Sequence, residues 1–229
     1  MHTSRDDYRQ FHAGRHRAIL ALVEGWLRAP VKNALDIGGG GDIGGLGEAI
    51  LGPYARTMHA VDQGADVAAG RQRGVEAVAL DVDRESLPYP DAHFGLILFA
   101  SVIEHLYNPR HVLDEIARVA APGALLVLEA PNAVAFGRRV DALLGRNPFR
   151  WFNRYNALEG KAPMELCSVF YTADEAEDLI ATAFEVVERR YAMHNPPVNA
   201  VKKLVRGTAA RLSPALSDSF LLAARRREA

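Results

Sequence analysis

The run Ala34-Leu35-Asp36-Ile37-Gly38-Gly39-Gly40-Gly41-Asp42 sets four consecutive glycines at the end of a short apolar strand. Glycine alone takes positive φ without steric cost, and it lets a ligand approach the backbone closely. A strand that ends in such a loop and then enters a helix offers free N–H groups to a nucleotide-like ligand. The carboxylates at both ends of the run bear on which ligand that is.

The rest of the chain reads as strands alternating with helices. Tyr8, Phe11, Ile19, Leu22, Val23 and Trp26 recur at three- and four-residue steps and predict a helix over 5–28, limited by Pro30. Strands are expected at Val31–Ile37, Thr57–Val61, Val75–Leu80, Phe94–Ala100, Ala124–Glu129, Phe184–Tyr191 and Ser219–Ala224. Between them fall helices from about Ile43 to Leu51, from Asn108-Pro109 to Pro122-Gly123, and from the Thr172/Glu175 capping box to about Thr182. This order argues for a parallel α/β sheet with right-handed crossovers. Residues 133–168, with Phe136, Phe149, Trp151, Phe152 and Tyr155 among basic residues, have no clean period and read as a lid or substrate wall. Val201, Leu204, Val205 and Leu212 form the apolar side of one more helix. Lys202, Lys203, Arg206 and Arg211 lie on its other side, read as a solvated face on a packed helix. The Arg225-Arg226-Arg227 tail is likewise expected to be solvated.

Size and charge narrow the partners. A chain of 229 residues with 49% hydrophobic content supports one sizeable domain, with 1–30 as an N-terminal helical cover, 31–132 as the binding core, 133–168 as the lid and 169–229 as closing helix and strands. A net charge of -1 gives no electrostatic argument for nucleic acid. The apolar stretches are too short to span a bilayer at ~20 residues, and residues 1–17 lack a signal-like apolar core. The single Cys167 cannot form an internal disulfide. A soluble, cytoplasmic protein without integral membrane association is expected.

Gly39-Gly40-Gly41-Asp42-Ile43-Gly44 matches the dinucleotide pattern G-x-G-x-x-G, and Asp62 follows at a suitable distance. Charge speaks against that match. A pyrophosphate at the helix N-terminus would be repelled by Asp42, and Asp36 adds a second misplaced negative charge. S-adenosylmethionine has no phosphate and carries an ammonium and a sulfonium, so the same carboxylates become favourable.

The residues resemble the class I S-adenosylmethionine-dependent methyltransferases. The likeness runs through Leu35–Gly40, Asp62, Asp81-Val82-Asp83 to Pro90-Asp91, Phe94, Val102-Ile103-Glu104-His105-Leu106, Asn108-Pro109, the Glu115–Val119 helix, Pro122-Gly123 and Pro131-Asn132. It implies a Rossmann-like, doubly wound, seven-stranded sheet, mostly parallel with the last strand antiparallel and helices on both faces. It further implies S-adenosyl-L-methionine as cofactor: Asp36, Gly38, Gly39 and Gly40 at its methionine end, and Asp62 with Gln63 at the ribose. Asp81 and the Val82 N–H would meet the adenine, and Phe99, Ala100 and Ser101 would pass beneath the sulfonium. The family often has a third glycine where Asp42 stands, and an aspartate where Gly95 stands.

Several roles stay open on sequence alone. Asp83 competes with Asp81, and Asp36 is alternatively a strand-end cap. His105 is either a general base or a loop anchor. Glu104 is read as structural, and Asn132 as a strand-end residue at the ligand edge. In relatives that methylate quinone precursors two glutamates and a histidine hold a divalent metal. Ser101 stands where the first glutamate would be, so no metal is expected. The amino-nitrogen signature Asn/Asp-Pro-Pro-aromatic is missing after the fourth strand, which disfavours nucleic-acid methylation. The expected reaction is methyl transfer to a small, partly apolar acceptor, such as a natural-product, sugar-bearing or lipid-linked molecule, most simply at oxygen. The alternatives are a non-catalytic cofactor-binding protein and an NAD-dependent oxidoreductase.

Overall fold

The computed structural model describes residues 5–39, 46–64, 67–150, 169–194 and 200–228. Gly40, Asp42, Cys167 and much of the expected lid, 151–168, lie outside the described residues.

Seven strands form one sheet: β1 (Val31–Ile37), β2 (Ala55–Asp62), β3 (Val75–Ala79), β4 (Phe94–Ala100), β5 (Ala120–Pro131), β6 (Phe184–Ala192) and β7 (Ser219–Arg226). Their spatial order is β3-β2-β1-β4-β5-β7-β6. All neighbouring pairs from β3 to β5 are parallel, and β7 runs antiparallel to both β5 and β6. The doubly wound sheet with an antiparallel last strand is therefore as the sequence leads one to expect. The chain winds outward from β1 to β3, then returns to place β4 on the other side of β1. The crevice between the carboxyl ends of β1 and β4 is the position at which open α/β sheets bind ligands.

Alternation along the strands divides the core in two. Leu35, Ile37, Phe99, Leu126 and Leu128 face helices α4 (Pro109–Val119) and α6 (Ala173–Ile180). Ala34, Met58, Leu96, Leu98 and Val127 face α1 (Arg5–Trp26) and α2 (Leu46–Leu51). Ile19, Leu22 and Val23 of α1 are fully buried, as their three- and four-residue spacing requires. The remaining helices are α3 (Val67–Gln72), α5 (Phe136–Leu143) and α7 (Ala200–Leu212).

Local signals hold where caps dictate them. The Asn108 side chain accepts from His111 N with Pro109 at the first helical position, and Thr172 and Glu175 form the full capping box. Three expectations need correction. Pro122-Gly123 does not close α4 but lies within β5, where Gly123 takes φ 72 and the β4–β5 register shifts. The triple-arginine tail is not simply solvated. Arg225 donates to Gly123 O and Trp26 O, Arg226 to Ala117 O and Ala183 O, and Arg227 to Ala181 O. In α7 the apolar side is the outer one: Val201, Leu204, Val205 and Leu212 are exposed, while Ala209 is buried.

Candidate active site

β1 ends in a carboxyl group and a forced turn. Asp36 points to the α1/α2 face, since it shares strand parity with buried Ala34. A Cβ on Gly47 of α2 would lie 1.8 Å from Asp36 Oδ2, and one on Gly39 would lie 2.9 Å away. Only glycine at 47 leaves room for that carboxyl group. Gly38 takes φ 77, and a Cβ there would meet Val102 Cγ2 at 2.2 Å. Its N–H donates to Val61 O, which ties the turn to β2. Burial, then the nearby Asp62 charge, pushes the Asp36 carboxyl up to about 7.

The next two strands end in carboxylates as well. Asp62 Oδ1 accepts from Gly64 N at 2.7 Å, beside exposed Gln63. Leu80 N donates to Asp62 O, bringing the end of β3 against the end of β2. Asp81 Oδ1 accepts from Asp83 N, and its other oxygen lies 3.6 Å from Arg84 Nε. Val82 packs on the core. Asp83 has a different duty: its carboxylate accepts from Tyr107 N and Asn108 N, tying down the segment after β4. The structure thus separates two aspartates that the sequence left in competition.

Across the crevice, Phe99 is buried and Ala100 is half-buried, and Ser101 takes φ 55. Positive φ at a serine is strained backbone of the kind that collects at functional sites. Ser101 N donates to Glu129 O, and Ser101 Oγ donates to Glu129 Oε2 at 2.8 Å. Arg15 Nη1 of α1 donates to Ser101 Oγ at 2.6 Å and lies 3.6 Å from Glu129 Oε2.

Glu104 stands next to this group with 2% of its surface exposed, and Glu129 is wholly buried. Glu104 Oε2 and Glu129 Oε1 have no hydrogen-bond partner among the described residues. Burial and the Glu129 charge push the Glu104 carboxyl up to about 8. His105 Nε2 lies 3.9 Å from Glu104 Oε1, with its side chain about one-third exposed. Asn132, in contrast, is a structural tie. Its Nδ2 donates to Ala215 O and Ser217 O, and its Oδ1 accepts from Val134 N. His194 N donates to Asp218 Oδ2, and Arg206 Nη2 donates to both Asp218 oxygens.

The sequence reading thus missed Arg15 and Glu129, and understated Glu104. Glu129 carried a signal: a lone charge within the apolar run Leu125–Ala130 of a strand covered on both faces. Arg15 carried none, because its partner lies 86 residues away.

Residues 35–128 match the family model described as methyltransferase domain. A Mycobacterium tuberculosis protein named as a probable S-adenosylmethionine-dependent methyltransferase is 32% identical over 144 residues, which is 62% of this chain and 50% of that protein. The chain therefore spans about half the length of that relative. Among solved structures, the N-methyltransferase NodS of Bradyrhizobium japonicum in complex with S-adenosyl-L-homocysteine is similar over 99% of this chain and 94% of its own, with TM-score 0.62 and 22% identity. A Haloferax volcanii putative methyltransferase, in complex with the Trm112 activator, covers 98% of this chain and 93% of its own with TM-score 0.68 and 14% identity. These two likenesses establish the fold.

The raised Glu104 carboxyl has a consequence for stability. Its folded pKa exceeds the ordinary 4.5, so between pH 4.5 and about 8 the native state holds a proton that the unfolded chain has lost. Native stability therefore falls as pH rises through that window. Glu104→Gln cannot ionise and escapes the loss. In urea unfolding the variant is expected near the wild type at pH 5 and clearly more stable at pH 9. A gap that does not change between the two pH values would contradict the assignment. Asp36 contributes equally to both proteins and cancels.

Proposed function

We propose that this chain transfers a methyl group from S-adenosylmethionine to a small, partly apolar acceptor, at an oxygen. The observation that carries the reading is the row of carboxyl groups Asp36, Asp62 and Asp81 at the ends of three adjacent strands, the first of them buried. Such a row suits a ligand with a cationic end, ribose hydroxyls and an adenine amino group. It repels a pyrophosphate. The match of residues 35–128 to the methyltransferase domain and the naming of the mycobacterial relative support the same cofactor.

When bound, S-adenosylmethionine supplies an electrophilic methyl carbon on its sulfonium. The chain's part is binding, exclusion of water and proton handling. Asp36, Gly38 and Gly39 line the methionine end. Asp62, with Gln63 beside it, accepts from the ribose hydroxyls, since one carboxylate can take two O–H donors. Asp81 accepts from the adenine amino group and the Val82 N–H donates to a ring nitrogen. Phe99, Ala100 and Ser101 form the floor under the sulfonium. Alignment alone is able to supply ~7–11 kcal/mol of the barrier.

His105 takes the proton from the acceptor hydroxyl, a step that contributes roughly 10²–10⁴-fold where it operates. Its neighbour Glu104 sets a buried carboxyl group 3.9 Å from the imidazole Nε2. Helix α5, which follows the end of β5, borders the acceptor side.

Isothermal titration provides the direct test of the cofactor. S-adenosylmethionine is expected to bind and NAD is not, and Asp62→Ala is expected to weaken binding at least tenfold, about 1.4 kcal/mol. Tight NAD binding with no S-adenosylmethionine binding would overturn the reading, and unchanged affinity in the variant would remove Asp62 from the ribose.

His105→Ala is expected to slow turnover by roughly 10²-fold or more. It should leave cofactor affinity within a few-fold of wild type. Turnover is followed with radiolabelled cofactor across a panel of hydroxylated acceptors. Full turnover in the variant would return His105 to loop anchoring.

A further inference from the structure

Helix α7 is amphipathic in the unexpected sense. Val201, Leu204, Val205, Thr208 and Leu212 follow the i, i+3, i+4, i+7 and i+11 spacing that buries one face of a helix. Every one of these residues is exposed, Leu212 by 82% and Val201 by 69%. The helix is held to the protein through Ala209, buried at one edge of this stripe, and through Arg206, which is taken up by Asp218. At 3.6 residues per turn, Lys202 and Arg211 fall on the two flanks of the outward apolar stripe. Helix α5 packs against α7 and ends in Leu143 and Leu144, exposed by 86% and 58%. Exposed Arg139 and Arg146 accompany them.

The charge of this region departs from that of the chain. Residues 136–150 and 200–212 together contain eight Lys and Arg against Asp141, with Asp218 taking up Arg206, in a molecule of net charge -1. Leucine and valine side chains fringed by long cationic ones are the composition of a helix lying in a lipid interface. The apolar face enters the acyl boundary while lysine and arginine stems reach the headgroups. A second copy fits less well, because a two-fold contact through this face would set its cations against the same cations.

The place of the patch is equally specific. α7 runs between the end of β6 and the start of β7, where Ala192 and Pro131 both pair with Ser219. α5 follows the end of β5. Both helices therefore rise from the sheet edge that carries Asp36, Ser101 and Glu129.

We infer that the outer faces of α7 and α5 dock on an anionic membrane surface. Docking there presents the acceptor side of the crevice to the bilayer. On the methyltransferase reading given above, the acceptor then has a lipid-soluble body and reaches the crevice by its polar end.

Vesicle sedimentation tests the docking without any assay of methyl transfer. Phosphatidylcholine vesicles containing phosphatidylglycerol are expected to bind the full chain about tenfold or more tightly than phosphatidylcholine alone, with the advantage lost in high salt. Leu204→Ser/Leu212→Ser and, separately, Lys202→Glu/Arg211→Glu are each expected to weaken that binding by about tenfold. Because Leu204 and Leu212 are exposed, the thermal melt and S-adenosylmethionine affinity of the leucine pair should match wild type. Equal binding to both vesicle types, no binding, or binding untouched by the leucine pair would overturn the inference. A dimer in light scattering that the leucine pair dissolves would assign the face to a second copy and overturn it as well. S-adenosylmethionine titration of the same samples separates these failures from a failure of the cofactor reading.

Discussion

A carboxyl group sealed beneath a glycine turn is a poor place for a negative charge unless a cation comes to it. Asp36 sits at the end of a central parallel strand, where desolvation holds much of it protonated near neutrality. A ligand bearing positive charge on the open side of the crevice would stabilise the carboxylate. The surroundings are built around that demand. Gly47 makes room for the carboxyl group, Gly38 turns the chain away above Val102, and Asp62 brings a second negative charge close enough to raise the first. A phosphate-bearing ligand would make each of these features unfavourable.

The acceptor side obeys the same electrostatics with different parts. Ser101, strained at positive φ, is held between Arg15 and Glu129, so the N-terminal helix is fastened to the floor of the crevice by a charge-assisted chain of hydrogen bonds. Two further carboxylate oxygens, on Glu104 and Glu129, stay buried without a partner among the described residues. Unsatisfied buried polar atoms cost stability. Glu104 lies beside His105, the residue proposed to take the acceptor's proton.

Much of the architecture was legible because it is local. β1 and β4 have the expected bounds, since buried parallel strands read as continuous apolar runs, and the caps at Asn108 and Thr172 are written in adjacent residues. The illegible parts were set by distant partners or by context. The eight-residue helix Phe136–Leu143 is too short for its period to emerge from a basic and aromatic segment. Pro122-Gly123 reads as a helix stop, but β5 absorbs it by a register shift against β4. The outward stripe of α7 was misjudged because periodicity reports that a helix has two faces and says nothing about which one meets the protein. In the candidate site, the aspartates at strand ends could be found from spacing. Arg15, whose partners are remote in sequence, could not.

Proton release on binding tests the central claim most directly. Calorimetry of S-adenosylmethionine binding at pH 7, repeated in buffers of different ionisation enthalpy, counts the protons exchanged. If the ligand's charge draws Asp36 into its carboxylate form, the wild type should release roughly half a proton more than Asp36→Asn. Equal proton counts for the two proteins, or net uptake by the wild type relative to the variant, would contradict the account.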